Sequence, residues 1–321
     1  MSTETSPALP NGDPAAAFPG ARSFCSTLAT EEPLAGTAPH RPSWALIEHP
    51  GPWGREALLD APWPEPGLGA RIAAAVDAAG VRAVLAREPG RRGRAPAVPS
   101  TDPRAPREVL LARCGPEGWL ARREVPTTDL AELDWAGLAQ SDDVPAGWTR
   151  VAPLWAVCTH GTRDACCARL GRPVSEAFDA AAPGAVREIS HSGGHRFAGV
   201  ALALPTGLMH GRVTPQDAAL LVRSVAAGRV VDRLLRGEVH RPAADQVATA
   251  ALRERLGDDR LGSLTRHGPA WEHHDSDGRT SRWLVEVTEH PGPTRPASCG
   301  AAPSSSSVLR ATVLPATTDG L

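Results

Sequence analysis

The stretch Val151-Ala-Pro-Leu-Trp-Ala-Val-Cys-Thr-His-Gly-Thr-Arg-Asp-Ala-Cys-Cys-Ala-Arg-Leu170 decides the reading of the whole chain. Val151 to Val157 is an apolar run of strand length that ends on Cys158. The polar loop after it leads into a helix reaching about Ala182. Ala185 to Ser190 then reads as a strand, His191 to His195 as a loop, and Phe197 to Leu204 as a strand. Leu208 to Val213 is its hairpin partner, across the turn residues Pro205-Thr-Gly207. Thr214-Pro-Gln-Asp217 opens a long helix, with Thr as N-cap, Pro at the first helical position and an acid in the first turn; Gly237 closes it. Strand, loop and helix, a two-strand hairpin and a last helix is the element order of a thioredoxin-like unit.

The order repeats upstream. Trp44 to Glu48 reads as a strand, His49 to Gly54 as a loop, and Arg71 to Ala79 as a helix stopped by Gly80. Val81 to Ala86, Glu108 to Arg113 and Trp119 to Val125 read as strands, followed by an acidic helical stretch at 128–134. The fold class expected is therefore α/β, a thioredoxin-like domain preceded by a second thioredoxin-like half. The expected division is a disordered tail over 1–24, an N-terminal half over 25–147, a thioredoxin-like domain over 148–240 and an extension over 241–321. In the extension a short helix, Gln246 to Leu256, precedes a hairpin of Ala270 to His274 against Arg282 to Val287. A last strand runs over Ser307 to Leu314.

Composition narrows the function classes. The chain has 321 residues, 41% apolar and 22% charged, so a large core can be buried and wholesale disorder is ruled out. A net charge of −2 argues against a nucleic-acid binder that works by neutralising phosphate. The Pro/Gly/Arg stretch between Arg87 and Arg107 has no interleaved aromatics and reads as a solvated loop. No apolar run is long enough to cross a bilayer, and Met1 to Pro19 lacks the basic and apolar regions of a secretory signal, so a cytoplasmic location is expected. Six cysteines, at 25, 114, 158, 166, 167 and 299, are too sparse for a disulfide scaffold. They are left as buried fillers, metal ligands or redox groups.

The chemistry concentrates in Cys158-Thr-His-Gly-Thr-Arg-Asp-Ala-Cys-Cys167 and His191-Ser-Gly-Gly-His195. Two thiols at a strand end and a helix start, with two imidazoles in a later loop, can form a four-ligand site. The glycine pair argues against a regular helix at 191–195, so the histidines would converge through a tight loop. Taken singly, each cysteine reads more often as a small buried apolar residue than as a ligand, and the histidine pair most often as incidental. Arg163 and Arg196 flank the motifs, either facing the site or paired with acids. His160 reads as a polar loop residue. His273 and His274 should point to opposite faces of a hairpin. Cys25, Cys114 and Cys299 read as structural.

These residues also resemble a known family, the sucrase/ferredoxin-like proteins. The resemblance runs through Cys25-Ser26, Glu32-Pro-Leu-Ala-Gly-Thr-Ala38, Trp44 to Gly54, Cys158 to Asp164, His191 to Phe197 and Arg295-Pro-Ala-Ser-Cys-Gly300. It implies a thioredoxin-like ferredoxin domain and a 2Fe-2S cluster in which an H-x3-H pair replaces the second cysteine pair. Matched residue by residue, the implied ligands are Cys158, Cys167, His191 and His195. Cys166 is a competitor, although eight intervening residues favour Cys167. Ala301 stands where the resemblance leads one to expect a Lys.

The expected function is therefore single-electron transfer through a 2Fe-2S cluster, between a donor and an acceptor protein the sequence does not name, with no nucleic-acid or membrane partner. Neutral imidazoles in place of thiolates raise a cluster's potential and add groups that exchange protons. No loop-placed carboxylate pair suggests a glycosidase, and an enzyme with its own substrate is the less favoured reading. Two rivals remain: a structural Cys2His2 zinc module, and a metal-free thioredoxin-like thiol oxidoreductase, the latter disfavoured by the absence of C-x-x-C and by the strain of pairing vicinal cysteines.

Overall fold

The computed structural model describes residues 24–90, 102 and 104–315. The tail expected over 1–24 lies outside the described residues except for Phe24, as does most of the loop expected between Arg87 and Arg107. After a short helix α1 (Cys25–Leu28), the first half runs β1 (Ser43–Glu48), α2 (Ala57–Asp60), α3 (Leu68–Ala78), β2 (Arg82–Arg87), β3 (Pro106–Arg113), β4 (Trp119–Pro126) and α4 (Trp135–Gln140). The second half runs β5 (Thr149–Arg150), β6 (Leu154–Cys158), α5 (Ala165–Ala181), β7 (Val186–Ile189), β8 (Ala201–Leu204), β9 (Leu208–His210), α6 (Ala218–Ala226) and β10 (Leu235–Glu238). The extension holds α7 (Ala243–Leu256), β11 (Leu264–His267), β12 (Ala270–His274), β13 (Thr280–Pro291), β14 (Arg295–Pro296), β15 (Pro303–Ser304) and β16 (Ser307–Pro315).

The two halves share one topology. β1 is parallel to β2 and antiparallel to β3, which is antiparallel to β4. β6 stands in the same relation to β7, β8 and β9. Each set has the strand order and directions of a thioredoxin-like sheet. The halves join where β2 pairs antiparallel with β7, and the ten-stranded order β10-β9-β8-β6-β7-β2-β1-β3-β4-β5 reads nearly the same from either end.

Alternation along the strands builds three cores. Ala45 and Ile47 of β1 pack with Leu68, Ile72 and Val76 of α3, and Trp155 and Val157 of β6 pack with Val174 and Phe178 of α5. The opposite faces of both halves form one shared core: Trp44, Leu46, Val84 and Leu110 meet Leu154, Ala156, Leu202 and Leu204. For this the sheet curls until its two hairpin turns meet, where the Gly115 amide donates to Pro205 O at 3.2 Å. Burial on both faces explains why these strands read as continuous apolar runs.

Three expectations need correction. The helix opened by Thr214, which does form a capping box with Asp217, stops at Ala226 instead of reaching Gly237. Gly228 takes a left-handed φ of +67° there, and Leu235–Glu238 becomes the edge strand β10. The acidic stretch at 128–134 is a 3-10 turn over Thr127–Ala131, followed by α4 capped by Asp134. The expected hairpin is present as β12 and β13, but within a four-stranded sheet, β11-β12-β13-β16, that packs on α7 through Leu252, Leu264 and Trp271. β13 is twelve residues long, an arm of roughly 40 Å. Beyond its end, β14 and β15 form a small hairpin whose connection carries Cys299. No helix among the described residues is long and apolar enough to cross a membrane.

Candidate metal centre

Cys158 is the last residue of β6 and Cys167 lies in the first turn of α5. The Asp164 side chain caps that helix, accepting from the Cys166 amide at 2.9 Å. Gly171 lets α5 close onto the strand end, since a Cβ there would sit 2.0 Å from Cys158 O. Successive helical residues are about 100° apart. Cys167 therefore turns toward Cys158 while Cys166 turns away, toward α1.

The histidine loop is pinned from three sides. Arg82 of β2 donates to His191 O at 2.7 Å. The His191 amide donates to His160 Nδ1 at 3.1 Å, which leaves His160 Nε2 to donate to Gly54 O at 2.7 Å. Arg236 Nη1 donates to Gly193 O at 2.9 Å. Gly194 has φ +74°, and a side chain there would collide with the Arg236 guanidinium, 2.4 Å from an added Cβ.

The structure brings Cys158, Cys167 and His191 together, with one donor atom from each lying within 4.8 Å of the other two. His195 stands outside that group but alongside it, its ring centroid 5.0 Å from that of His191 and its Nε2 4.0 Å from Asp164 Oδ2. Nδ1 of both histidines is buried and has no hydrogen-bond partner among the described residues. Two unpartnered imidazole nitrogens beside two buried thiols are a donor set that suits a thiolate- and imidazole-binding metal group.

Charge within the site is uneven. The hydrogen bond from Cys167 holds Cys158 well below the usual thiol range, and the Cys167 thiol is pushed up in turn. Arg236 is buried to 2% exposure, and burial pushes its guanidinium down to about 9. Its hydrogen bonds run to Thr37, Gly193 and Met209, so none of these partners is a carboxylate. Arg163 and Arg196, which flank the motifs, are paired instead with Glu56 and, at 2.9 Å, Glu32. Beside His191 a groove of about 280 Å³, lined by Arg55, Arg82, Arg163 and His160, opens to solvent.

The sucrase/ferredoxin-like pattern matches residues 34–237, more than half of the chain and the whole span of these motifs. The chain belongs to the sucrase/ferredoxin-like family. Among solved structures it is similar to the thioredoxin-like [2Fe-2S] ferredoxin from Aquifex aeolicus, at 21% identity over 28% of this chain and 94% of that one, with a TM-score of 0.25. A cysteine-to-serine variant of that ferredoxin matches at 21% identity over 26% and 97% of the two chains, with a TM-score of 0.24. No curated protein matches.

Within this family member, sequence reading missed several residues around the centre. His160, read as a loop residue, is buried and links the histidine loop to Gly54 of the first half. Arg82 and Arg236 carry no sequence signal, because each comes from a strand remote in sequence from the motifs. Cys114 is a core residue, as expected. His273 is buried against Asp258 at 2.7 Å while His274 faces outward, also as expected. Cys25 and Cys299 are not separate fillers: they meet Cys166 and Asp164 in a second group of donor atoms.

Proposed function

We propose that this family member is a single-electron carrier whose 2Fe-2S cluster is held by Cys158, Cys167, His191 and His195. The observation that carries the reading is the convergence of two buried thiols with His191, with His195 alongside, both histidines having a buried Nδ1 that lacks a hydrogen-bond partner among the described residues. Such a cluster would supply one reversible electron, at a potential raised by the neutral imidazoles. The chain's own part is to hold the loop and exclude water: Arg82, His160 and Arg236 fix the 191–195 backbone, and α5 seals the thiols. The groove beside His191 is the face we assign to donor and acceptor proteins, in a reducing cytoplasm where the free cysteines stay reduced.

Elemental and sulfide analysis of protein made in iron-replete cells tests this. Two irons and two sulfides per chain, with a red-brown colour, are expected. Cys158→Ser and Cys167→Ser should each lose the colour, whereas Cys166→Ser should keep it. A colourless chain that holds zinc at these residues would replace the electron-transfer reading with the structural zinc module.

A further inference from the structure

Apart from the candidate cluster, three cysteines and one carboxylate meet from three remote parts of the chain. Cys166 Sγ lies 3.7 Å from Cys25 Sγ and 3.3 Å from Cys299 Sγ, and Cys25 and Cys299 are 3.7 Å apart. The Asp164 carboxylate oxygens lie 3.8 and 3.7 Å from Cys25 Sγ. No two of these thiols are bonded as a disulfide. We propose that Cys25, Cys166, Cys299 and Asp164 form a second, separate site that binds a single zinc ion.

The spacing supports one tetrahedral ion. With Zn–S bonds of about 2.3 Å and Zn–O bonds of about 2.0 Å, tetrahedral angles set S to S edges at about 3.8 Å and S to O edges at about 3.5 Å. The three S to S edges and the Asp164 to Cys25 edge lie within about half an ångström of these values, and all four donor atoms lie within 4.8 Å of one another. The surroundings also fit. The Asp164 oxygens already accept from two ligand-bearing backbones, the Cys166 amide at 2.9 Å and the Cys299 amide at 2.8 Å. Ser26 Oγ donates to Cys166 Sγ at 3.1 Å, as an outer hydrogen bond to a bound thiolate would. Phe24 and Ala198 pack around the thiols and limit water.

Binding needs no redox partner: zinc displaces the thiol protons to solvent and takes up the thiolates. Its consequence is structural. The ligands come from α1, from the start of α5 and from the hairpin at the end of the β13 arm, and the outermost pair is 274 residues apart. One ion would therefore fasten α1 and the β14–β15 hairpin onto the helix that carries Cys167. Asp164 also places the site 4.0 Å from His195 Nε2, so the two centres are neighbours that share no ligand.

The experiment is elemental analysis of the full-length holoprotein for zinc and iron together, before and after exposure to a chelator. One zinc per chain, resistant to the chelator, is expected in addition to the iron. Cys25→Ser and Cys299→Ser should each lose that zinc and keep the iron and the visible spectrum, while Cys158→Ser should do the reverse. If the proposed cluster reading fails and the first site also holds zinc, two zincs per chain would be found, with only one of them sensitive to Cys299→Ser. Native protein without zinc after growth with zinc chloride would overturn the proposal. So would mass-spectrometric detection of a disulfide among the three cysteines, or zinc that survives Cys299→Ser. Should the variants fail to fold, Co2+ exchanged into the native chain provides the second reading: a tetrahedral thiolate–cobalt spectrum is expected, and its absence overturns the site.

Discussion

At the scale of single residues, Arg236 carries a buried charge whose hydrogen-bond partners are neutral, and its nearest consequence is electrostatic. A cation held beside Gly193 favours whichever state of the candidate cluster is the more anionic, which is the reduced one. Arg236→Gln should therefore lower the potential, by on the order of the 60 mV that corresponds to a tenfold change in equilibrium constant. Arg196→Gln, which removes a charge already paired with Glu32, should move it less. Potentiometric titration of both variants with the cluster intact is the measurement, and equal shifts would refute the assignment. Elsewhere, His210 and His49 are fully buried, and desolvation pushes each down to about 4. Between pH 6.5 and about 4 the unfolded chain takes up protons that the fold refuses. Stability is thus complete above pH 6.5 and is lost as pH falls, by about 3 kcal/mol per histidine. Urea unfolding at several pH values should give a pH slope that falls by close to one proton in His210→Leu. An unchanged slope would mean that His210 titrates alike in both states.

At the scale of elements, the approach of α5 to the end of β6 decides whether two of the proposed ligands can meet. Gly171→Ala puts a methyl group 2.0 Å from Cys158 O, so the helix must shift. The overpacking should cost about 1–3 kcal/mol. Iron content and melting temperature are expected to fall together; a variant that melts earlier but keeps full iron would show that the site tolerates the shift. Most strands were legible because each is apolar, short and bounded by turn residues, as Trp44 to Glu48 and Leu154 to Cys158 show, although the run read from Val151 becomes a strand only at Leu154. The thiol-helix-histidine order was legible because it is local in the chain. β10 was not: Leu235-Arg-Gly-Glu238 has no strand period, and it pairs with β9 only after Gly228 ends the helix before it. The second donor group was equally hidden. Nothing in a linear sequence pairs Cys25 with Cys299, and only the length of the β13 arm brings the latter back. The divergence of Cys166 from Cys167 follows from helical geometry, but what each would meet does not.

At the scale of the whole molecule, the two halves were legible as repeated element orders, whereas their union was not, because edge pairing and curling leave no local signature. Its consequences for the candidate centre are concrete. The loop at 191–195 is held by Arg82 and, through His160, by Gly54, both from the first half. The β2–β7 seam is short, two register pairs, and is reinforced by the buried ion pair between Arg87 and Glu188 at 2.8 Å. Glu188 also accepts from Thr159 Oγ1 at 3.2 Å, right after Cys158. The inner face of the second half, with Leu154, Ala156 and Leu202, is covered by Trp44, Leu46 and Leu110. A fragment of residues 148–240 would expose that face to water and would leave the His191 carbonyl without its arginine. We therefore expect the fragment to be poorly soluble and to hold no iron, although it contains all four proposed ligands. Supplying residues 24–147 as a separate chain in the same cells should rescue both properties, because the seam and the shared core need proximity but no covalent link. Glu188→Ala in the full chain, which removes the ion pair to Arg87 and the hydrogen bond from Thr159 at the seam, should lower the melting temperature and should lose iron faster to a chelator than the native protein. If the isolated fragment is soluble and binds iron as tightly as the whole chain, the first half plays no part in forming the centre, and a role in meeting the redox partner would be what is left for it.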